Sequence, residues 1–515
     1  MHNPSLSTGP HTSRGSLTAW SPAVRLSLAF LGFLLLGLVL SFVGAQFLDR
    51  LGHPASFVLI LAGPPLVFLF VAGARQGLAE VPAFWRKLTW WHGLWFLLLA
   101  SSFVFRTRDV ESVQSNPLDT AAIFRVCLVG TTALILIVRL TLRRPPWLGS
   151  LFSGLVGVMA LFALVCTLTS LWSVNRPWTL YKSLEYLGDV SLLAVILVMV
   201  QSTEAYESLM DWTWTLFGSI VFLAWAEAAI WPAEALEAER TGGMLKYRLN
   251  CLYPGYGTNS VGTFGAIIAA VAICRLLPTA GRKFNRTWYV VLLIMGVVTM
   301  VFSQTRSAMA GFLVGVLLML VFTGRKLLIA GLGIASVAAL ALTGAGKLFV
   351  EFLERGQSQA EIMSLSSRTI WWTVAWNAFK QHPFTGLGAF AAGQFAIFPK
   401  MGLKEVTPLH SDYVEALVGS GIWGPVLLIL GLLWTWWVLI QFLRRFPSMS
   451  LERQLAVEAI AVLSILTVRS AFMNLIVFHP AFHYFAILGY AEFLRRRFFK
   501  GSPANPSTAG NDRIS

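Results

Sequence analysis

Apolar runs of about 16–24 residues follow one another along most of this chain, and they leave few folds open to it. As a helix, a run of that length crosses most or all of the ~30 Å of hydrocarbon in a bilayer. Backbone N–H and C=O groups find no water there, so each run must close its own hydrogen bonds as a helix. The runs fall at about 24–47, 55–74, 89–105, 120–142, 148–172, 183–200, 209–231, 260–277, 288–302, 308–322, 327–343, 414–443, 455–477 and 481–494. Of the 515 residues only 12% are charged, about half the share usual in a soluble domain. The fold expected is therefore all-α, a polytopic transmembrane bundle of about 12–14 spans.

The net charge of +15 would suit a polyanion, but the placement of the charges argues otherwise. They cluster between apolar runs, as at Arg143-Arg144, Arg282-Lys283, Arg325-Lys326, Arg444-Arg445 and Arg495-Arg496-Arg497. That is the pattern by which cytoplasmic loops retain Lys and Arg, and it calls for no nucleic acid. With the N-terminus inside, inner segments hold about 22 of the 39 Lys and Arg, against about 11 in the short outer segments. Both termini are thus expected to be cytoplasmic. The run from Val24 to Phe47 is read as a retained first helix, although Val43-Gly44-Ala45 offers residues small enough for a signal peptidase. Cys127, Cys166 and Cys274 lie in apolar runs and Cys251 in a loop, which suits small core residues better than a disulfide framework. No Gly-rich phosphate loop or zinc-ligand spacing occurs, so neither a metal nor another cofactor is expected.

The expected organisation is a cytoplasmic tail 1–23, spans 1–11 within 24–343, a large outer loop 344–413, spans 12–14 within 414–494 and a second tail 495–515. A loop that long in a compact protein is either functional or disordered. Its stretch from Ser367 to Phe379 repeats aromatics at helical spacing, with Ser366 or Ser367 to cap it and Pro383 to stop it. This predicts an amphipathic helix at the interface, with Trp371, Trp372 and Trp376 toward lipid or the bundle.

Four features at the outer face could carry chemistry. In the short turn Ser303 to Ser307, Arg306 sits at the mouth of the bundle, where a charge is costly unless paired or wet; the bland alternative is a snorkelling arginine. Arg368 opens the loop helix, where a guanidinium beside free N–H groups suits phosphate; alone it could be a solvated arginine. His410, before Ser411-Asp412-Tyr413, could take a proton near neutral pH with the carboxylate orienting it, or be an ordinary polar loop residue. The turn from Arg248 to Asn259 could line a polar cavity, as could many loops. Arg125, Glu185, Asp189, Glu227, Glu458 and Arg469 lie inside apolar runs and are expected to face the bundle interior in pairs, or to form an ion path.

In order and spacing, these motifs resemble the O-antigen ligase and polymerase superfamily. The resemblance rests on the Ser303–Ser307 turn, Arg368-Thr369-Ile370-Trp371-Trp372, His382-Pro383-Phe384-Thr385-Gly386-Leu387-Gly388, His410-Ser411-Asp412-Tyr413-Val414 and Gly421-Ile422-Trp423-Gly424. Upstream, Leu171 to Pro177 and the Arg248–Asn259 turn also look like the family. The resemblance implies a metal-independent glycosyltransferase of the bacterial inner membrane, with its active site in the large periplasmic loop. It would move a glycan from undecaprenyl pyrophosphate to lipid A–core or to another lipid-linked glycan. By the same resemblance, His410 is the catalytic residue and Arg306 and Arg368 contact the pyrophosphate; Arg248, Asp412 and Tyr413 are expected to contact substrate beside them. The chain departs from the pattern at Ser411, where asparagine is common, and at Gly419, where an acidic residue is common. The competing class is a secondary transporter or an anion carrier of the bicarbonate kind, whose critical residues would lie near the midplane in broken helices.

Overall fold

A computed structural model describes residues 88–101, 120–143, 147–238, 245–277 except 246 and 254, 286–325, 368–402, 408–446, 450–479 and 481–499, with scattered positions between 327 and 361. The expected spans at 24–47 and 55–74 and most of 327–343 lie outside these residues, as do both tails apart from 495–499. The chain forms an all-α polytopic bundle. Its main helices are α1 (Trp90–Ser101), α2 (Thr120–Arg143), α3 (Gly154–Leu168), α4 (Arg176–Met199), α5 (Thr203–Ile230), α6 (Thr258–Leu276), α7 (Arg286–Phe302), α8 (Arg306–Phe322), α9 (Arg368–Gln381), α10 (Asp412–Ser420), α11 (Trp423–Arg445), α12 (Leu451–Ser470) and α13 (Phe482–Leu494). Among the described residues one small antiparallel hairpin interrupts them, β1 (Leu236–Ala238) with β2 (Tyr247–Leu249). Among the described residues five helices are long and apolar enough to cross a membrane.

Small residues decide which helices touch, because lipid tails give apolar side chains no reason to prefer one another. A Cβ on Gly296 of α7 would lie 2.6 Å from the Gly265 carbonyl of α6, so these two backbones pack directly. On α8, a Cβ at Gly315 would lie 2.6 Å from the Ala461 carbonyl of α12, and one at Gly311 would lie 2.9 Å from Ile465 Cα. Gly311 and Gly315 are thus a small-xxx-small seam that brings α12 against α8. Leu134, Ile137, Leu313, Leu433 and Trp437 are exposed on outward helix faces, as a lipid-facing surface requires.

Most ionisable groups inside the apolar runs are paired. Arg125 forks across Glu185, which also accepts from Lys182 and Tyr181. Asp189 meets His479 at 2.7 Å, and Glu458 meets Arg275, which also reaches Glu207 and Asp211. Two depart from the expectation. Glu227 accepts from the backbone of Leu252 and Tyr253 and holds that turn, and Arg469 has neutral partners, described below. Cys127 also differs from the expected core position, being exposed on α2.

Three expected spans are broken; the run 148–172 parts at Phe152-Ser153, between a short helix Trp147–Leu151 and α3. The run 414–443 is two helices, α10 and α11, parted at Gly421, whose φ of +63° favours glycine. Here the Ile422 amide donates to the Pro383 carbonyl, and the amides of Leu387 and Gly388 donate to those of Val418 and Gly419. The run 455–477 ends as helix at Ser470 and continues as non-helical backbone to His479. Irregular backbone at that depth must be satisfied by protein. The Asp412 carboxylate does this, accepting from the amides of Leu475, Ile476 and Val477 at 3.0–3.2 Å.

Candidate active site

The turn that carries Arg306 is held on three sides. Its Gln304 has φ +51°, and its side-chain amide donates to the carbonyls of Leu245 (3.1 Å) and Tyr247 (3.2 Å), fastening the turn to the hairpin. Thr305 Oγ1 donates to the Thr258 carbonyl at the start of α6. Gly262 makes this approach possible, since any Cβ there would collide with Ser303 and Thr305. Arg306 is the first residue of α8 and donates through Nη2 to Gln357 Oε1 at 2.7 Å.

Arg368 is the first residue of α9. Burial, and then the nearby charge of Arg306, lower its guanidinium from the ordinary value. No described carboxylate forms an ion pair with it. The two tryptophans that follow turn inward, toward His410. Trp371 stacks on the His410 ring at 5.7 Å between centroids, and the Trp372 indole donates to the Leu409 carbonyl at 3.0 Å. Trp376 faces outward, 52% exposed, so the helix is amphipathic as expected.

His410 has φ +54°, one of three described non-glycine residues in the left-handed region. That conformation costs roughly 1–3 kcal/mol and persists only where the surroundings enforce it. Glu415 Oε2 accepts the Leu409 amide at 3.0 Å, while Trp372 holds the Leu409 carbonyl. The chain is thus clamped on both sides of the Leu409 α-carbon, and the histidine has little freedom to relax. Burial, followed by the charges of Arg368 and Arg469, lowers the His410 pKa to about 4, so the ring is neutral at neutral pH. Ser411 caps α10 by accepting the Val414 amide, as asparagine would.

The other expected residues take separate places. Arg248 on β2 pairs across the hairpin with Glu237 at 3.0 Å, next to Tyr247, whose carbonyl anchors Gln304. Tyr413 meets Ser470 Oγ at 2.9 Å and ties α10 to α12. Asp412 does not orient His410: both its oxygens are occupied by the 475–477 backbone, because the start of α10 turns its side chain away from the loop. His382 is exposed, and its backbone makes the turn, donating to Phe379 and accepting from Gly386. At Gly419 a Cβ would lie 2.9 Å from Ala389 Cα, so the acidic side chain common in the resembled family has no room here.

Arg469, expected from the sequence to face the bundle interior in a pair or to form an ion path, stands near these residues. It lies 1% exposed in the last turn of α12, close enough for its charge to act on His410. It and Arg368 add to Arg306 at a place where the N-termini of α6 and α8 also meet, and helix N-termini favour anions. Among the described residues no three His, Cys, Asp or Glu side chains gather as a metal-ligating set. The arrangement can therefore hold a multiply charged anion beside a neutral imidazole. Residues 289–429, running from α7 through Arg306, Arg368 and His410 into α11, match the family model described as O-antigen ligase. No curated protein matches the chain significantly.

Proposed function

We propose, from the match of residues 289–429 to the family model described as O-antigen ligase, that the chain is a glycosyltransferase of the bacterial inner membrane, acting on the periplasmic face. Its donor is a glycan on undecaprenyl pyrophosphate, and its acceptor is a sugar hydroxyl of lipid A–core or of another lipid-linked glycan. The observation that carries this reading is the meeting of Arg306 and Arg368 with a neutral, clamped His410.

The chemistry follows from those three side chains. The acceptor oxygen attacks the anomeric carbon while the bond from that carbon to the pyrophosphate oxygen breaks. The hydroxyl proton passes to a ring nitrogen of His410. Negative charge growing on the departing pyrophosphate is met by the two guanidiniums, whose planar forks match phosphate oxygens. Part of the low basicity of His410 comes from Arg368 and Arg469. A bound pyrophosphate offsets those charges, so the histidine becomes a better base once donor is present. This couples proton acceptance to donor binding.

A carrier reading draws on the non-helical 471–479 segment and the buried Asp189–His479 pair, features of transporters. The three candidate side chains, however, lie at helix ends rather than in the broken segment. The deciding experiment measures glycan transfer by membranes carrying Arg306→Lys or Arg368→Lys at equal protein abundance. Lysine keeps the charge but cannot fork across two oxygens. A loss of about tenfold or more in donor use is expected; wild-type transfer in both variants would overturn the assignment.

A further inference from the structure

We propose that Arg469 is a third arginine of the donor site, a positioning residue that fixes the Arg306 turn and adds a buried positive charge to the field holding pyrophosphate. The proposal rests on the glycosyltransferase reading above. It concerns a residue outside the matched segment 289–429.

Helix register places it there. Along α8 and α12, running antiparallel, Gly315 faces Ala461 and Gly311 faces Ile465. One further step of four on each helix brings Ser307 to Arg469, and Arg469 Nη1 donates to Ser307 Oγ at 2.7 Å. The glycine seam therefore fixes the guanidinium one residue from Arg306. Its other nitrogens reach α6, Nε to Thr263 Oγ1 at 3.0 Å and Nη2 to the Asn259 carbonyl at 2.8 Å. One side chain thus joins the N-terminal turns of α6 and α8 to the end of α12.

The charge balance at this place is unusual for a merely structural arginine. Among the described residues the other buried arginine of the apolar runs, Arg275, meets three carboxylates. Arg469 meets none among the described residues; its polar partners are two hydroxyls, a carbonyl and the Met473 sulfur. It also faces the positive ends of two helix dipoles and acts on the same histidine as Arg368. Buried charge without a counter-charge is unfavourable, and each of these unfavourable terms is relieved by one anion of at least two charges bound beside Arg306 and Arg368. Neutral hydroxyl partners would have sufficed to join three helices without any charge.

Arg469→Gln and Arg469→Lys separate charge from geometry. Purified variants in nanodiscs are compared with wild type by initial rates against lipid-linked donor concentration and by the pH dependence of kcat/KM. Arg469→Gln is expected to raise donor KM about tenfold or more and to move the acid limb of kcat/KM to higher pH, since a charge that depresses His410 is gone. Arg469→Lys is expected to raise donor KM by several-fold while leaving the acid limb in place. Loss of stability alone would not move that limb. Wild-type donor KM and acid limb in Arg469→Gln, with Arg306→Gln and Arg368→Gln impaired, would overturn the proposal and spare the glycosyltransferase reading. Unimpaired transfer in Arg306→Gln and Arg368→Gln would remove that reading and this proposal together. Should Arg469→Gln fail to accumulate, Arg469→Lys decides: wild-type KM and kcat in that variant count against the role.

Discussion

Asp412→Ala should unfold the break between α12 and α13 before it affects any substrate. The carboxylate accepts from three buried amides, those of Leu475, Ile476 and Val477, at 3.0–3.2 Å. Alanine leaves all three without an acceptor in a place water does not reach. Each orphaned buried donor costs roughly 1–3 kcal/mol, so the substitution should cost about 3–9 kcal/mol. That is a large part of the ~5–15 kcal/mol that holds a typical domain together. Asp412→Asn keeps one acceptor oxygen but turns an NH₂ toward the same amides, and should lie between. The assay is thermal unfolding of detergent-solubilised protein followed by size-exclusion fluorescence, beside donor KM and kcat in the fraction that remains folded. We expect Asp412→Ala to lower Tm sharply or abolish accumulation, and the folded Asp412→Asn fraction to keep donor KM near wild type. A wild-type Tm in Asp412→Ala with a selective rise in KM would refute the structural role and return Asp412 to the substrate.

Other outcomes follow from the same geometry. His410 has its pKa lowered to about 4 and acts in its neutral form, which is present above that pKa and lost as pH falls through it; kcat/KM should therefore be level from about pH 6 to about pH 8 and decline only in acid. Arg368→Gln should shift that decline upward, a change readable in the profile even if the rate is low, and an unmoved limb would dissociate the two residues. Gly315→Leu drives a side chain into the Ala461 carbonyl and should lower stability by about 1–3 kcal/mol or more, measured as Tm; an unchanged Tm would mean α8 and α12 do not meet through this seam. Chelation by EDTA should leave transfer unchanged, because the arginines carry the leaving-group charge, whereas a loss restored by Mg²⁺ would assign that role to a metal.

Hydropathy located most of the described helices because apolar runs and membrane thickness share one length scale. It could not find the breaks. Gly421-Ile422 and the segment from Phe472 to His479 are as apolar as the helices around them, and their backbone is satisfied by residues far away in sequence, Pro383 in one case and Asp412 in the other. The same distance hid the role of Asp412: two residues from His410 in sequence, it is carried to the opposite side by the first turn of α10. Trp371 and Trp372 were visible as an aromatic repeat, but their purpose, clamping the strained His410, needed the fold. Arg469 was conspicuous as a charge in an apolar run. The steps Ser307, Gly311, Gly315 already mark a close helix contact, yet nothing in sequence says that the partner is α12 or that the step beyond Ile465 is an arginine.

The central claim is that His410 accepts a proton while Arg306 and Arg368 hold a pyrophosphate donor. It is tested most directly by purified protein in nanodiscs given a polyprenyl-pyrophosphate-linked glycan and a sugar acceptor, with transfer followed over time. His410→Ala should bind donor with near wild-type affinity yet transfer glycan about 10²–10⁴-fold more slowly, while His382→Ala, at an exposed turn, stays close to wild type. Transfer by His410→Ala at the wild-type rate would contradict the account.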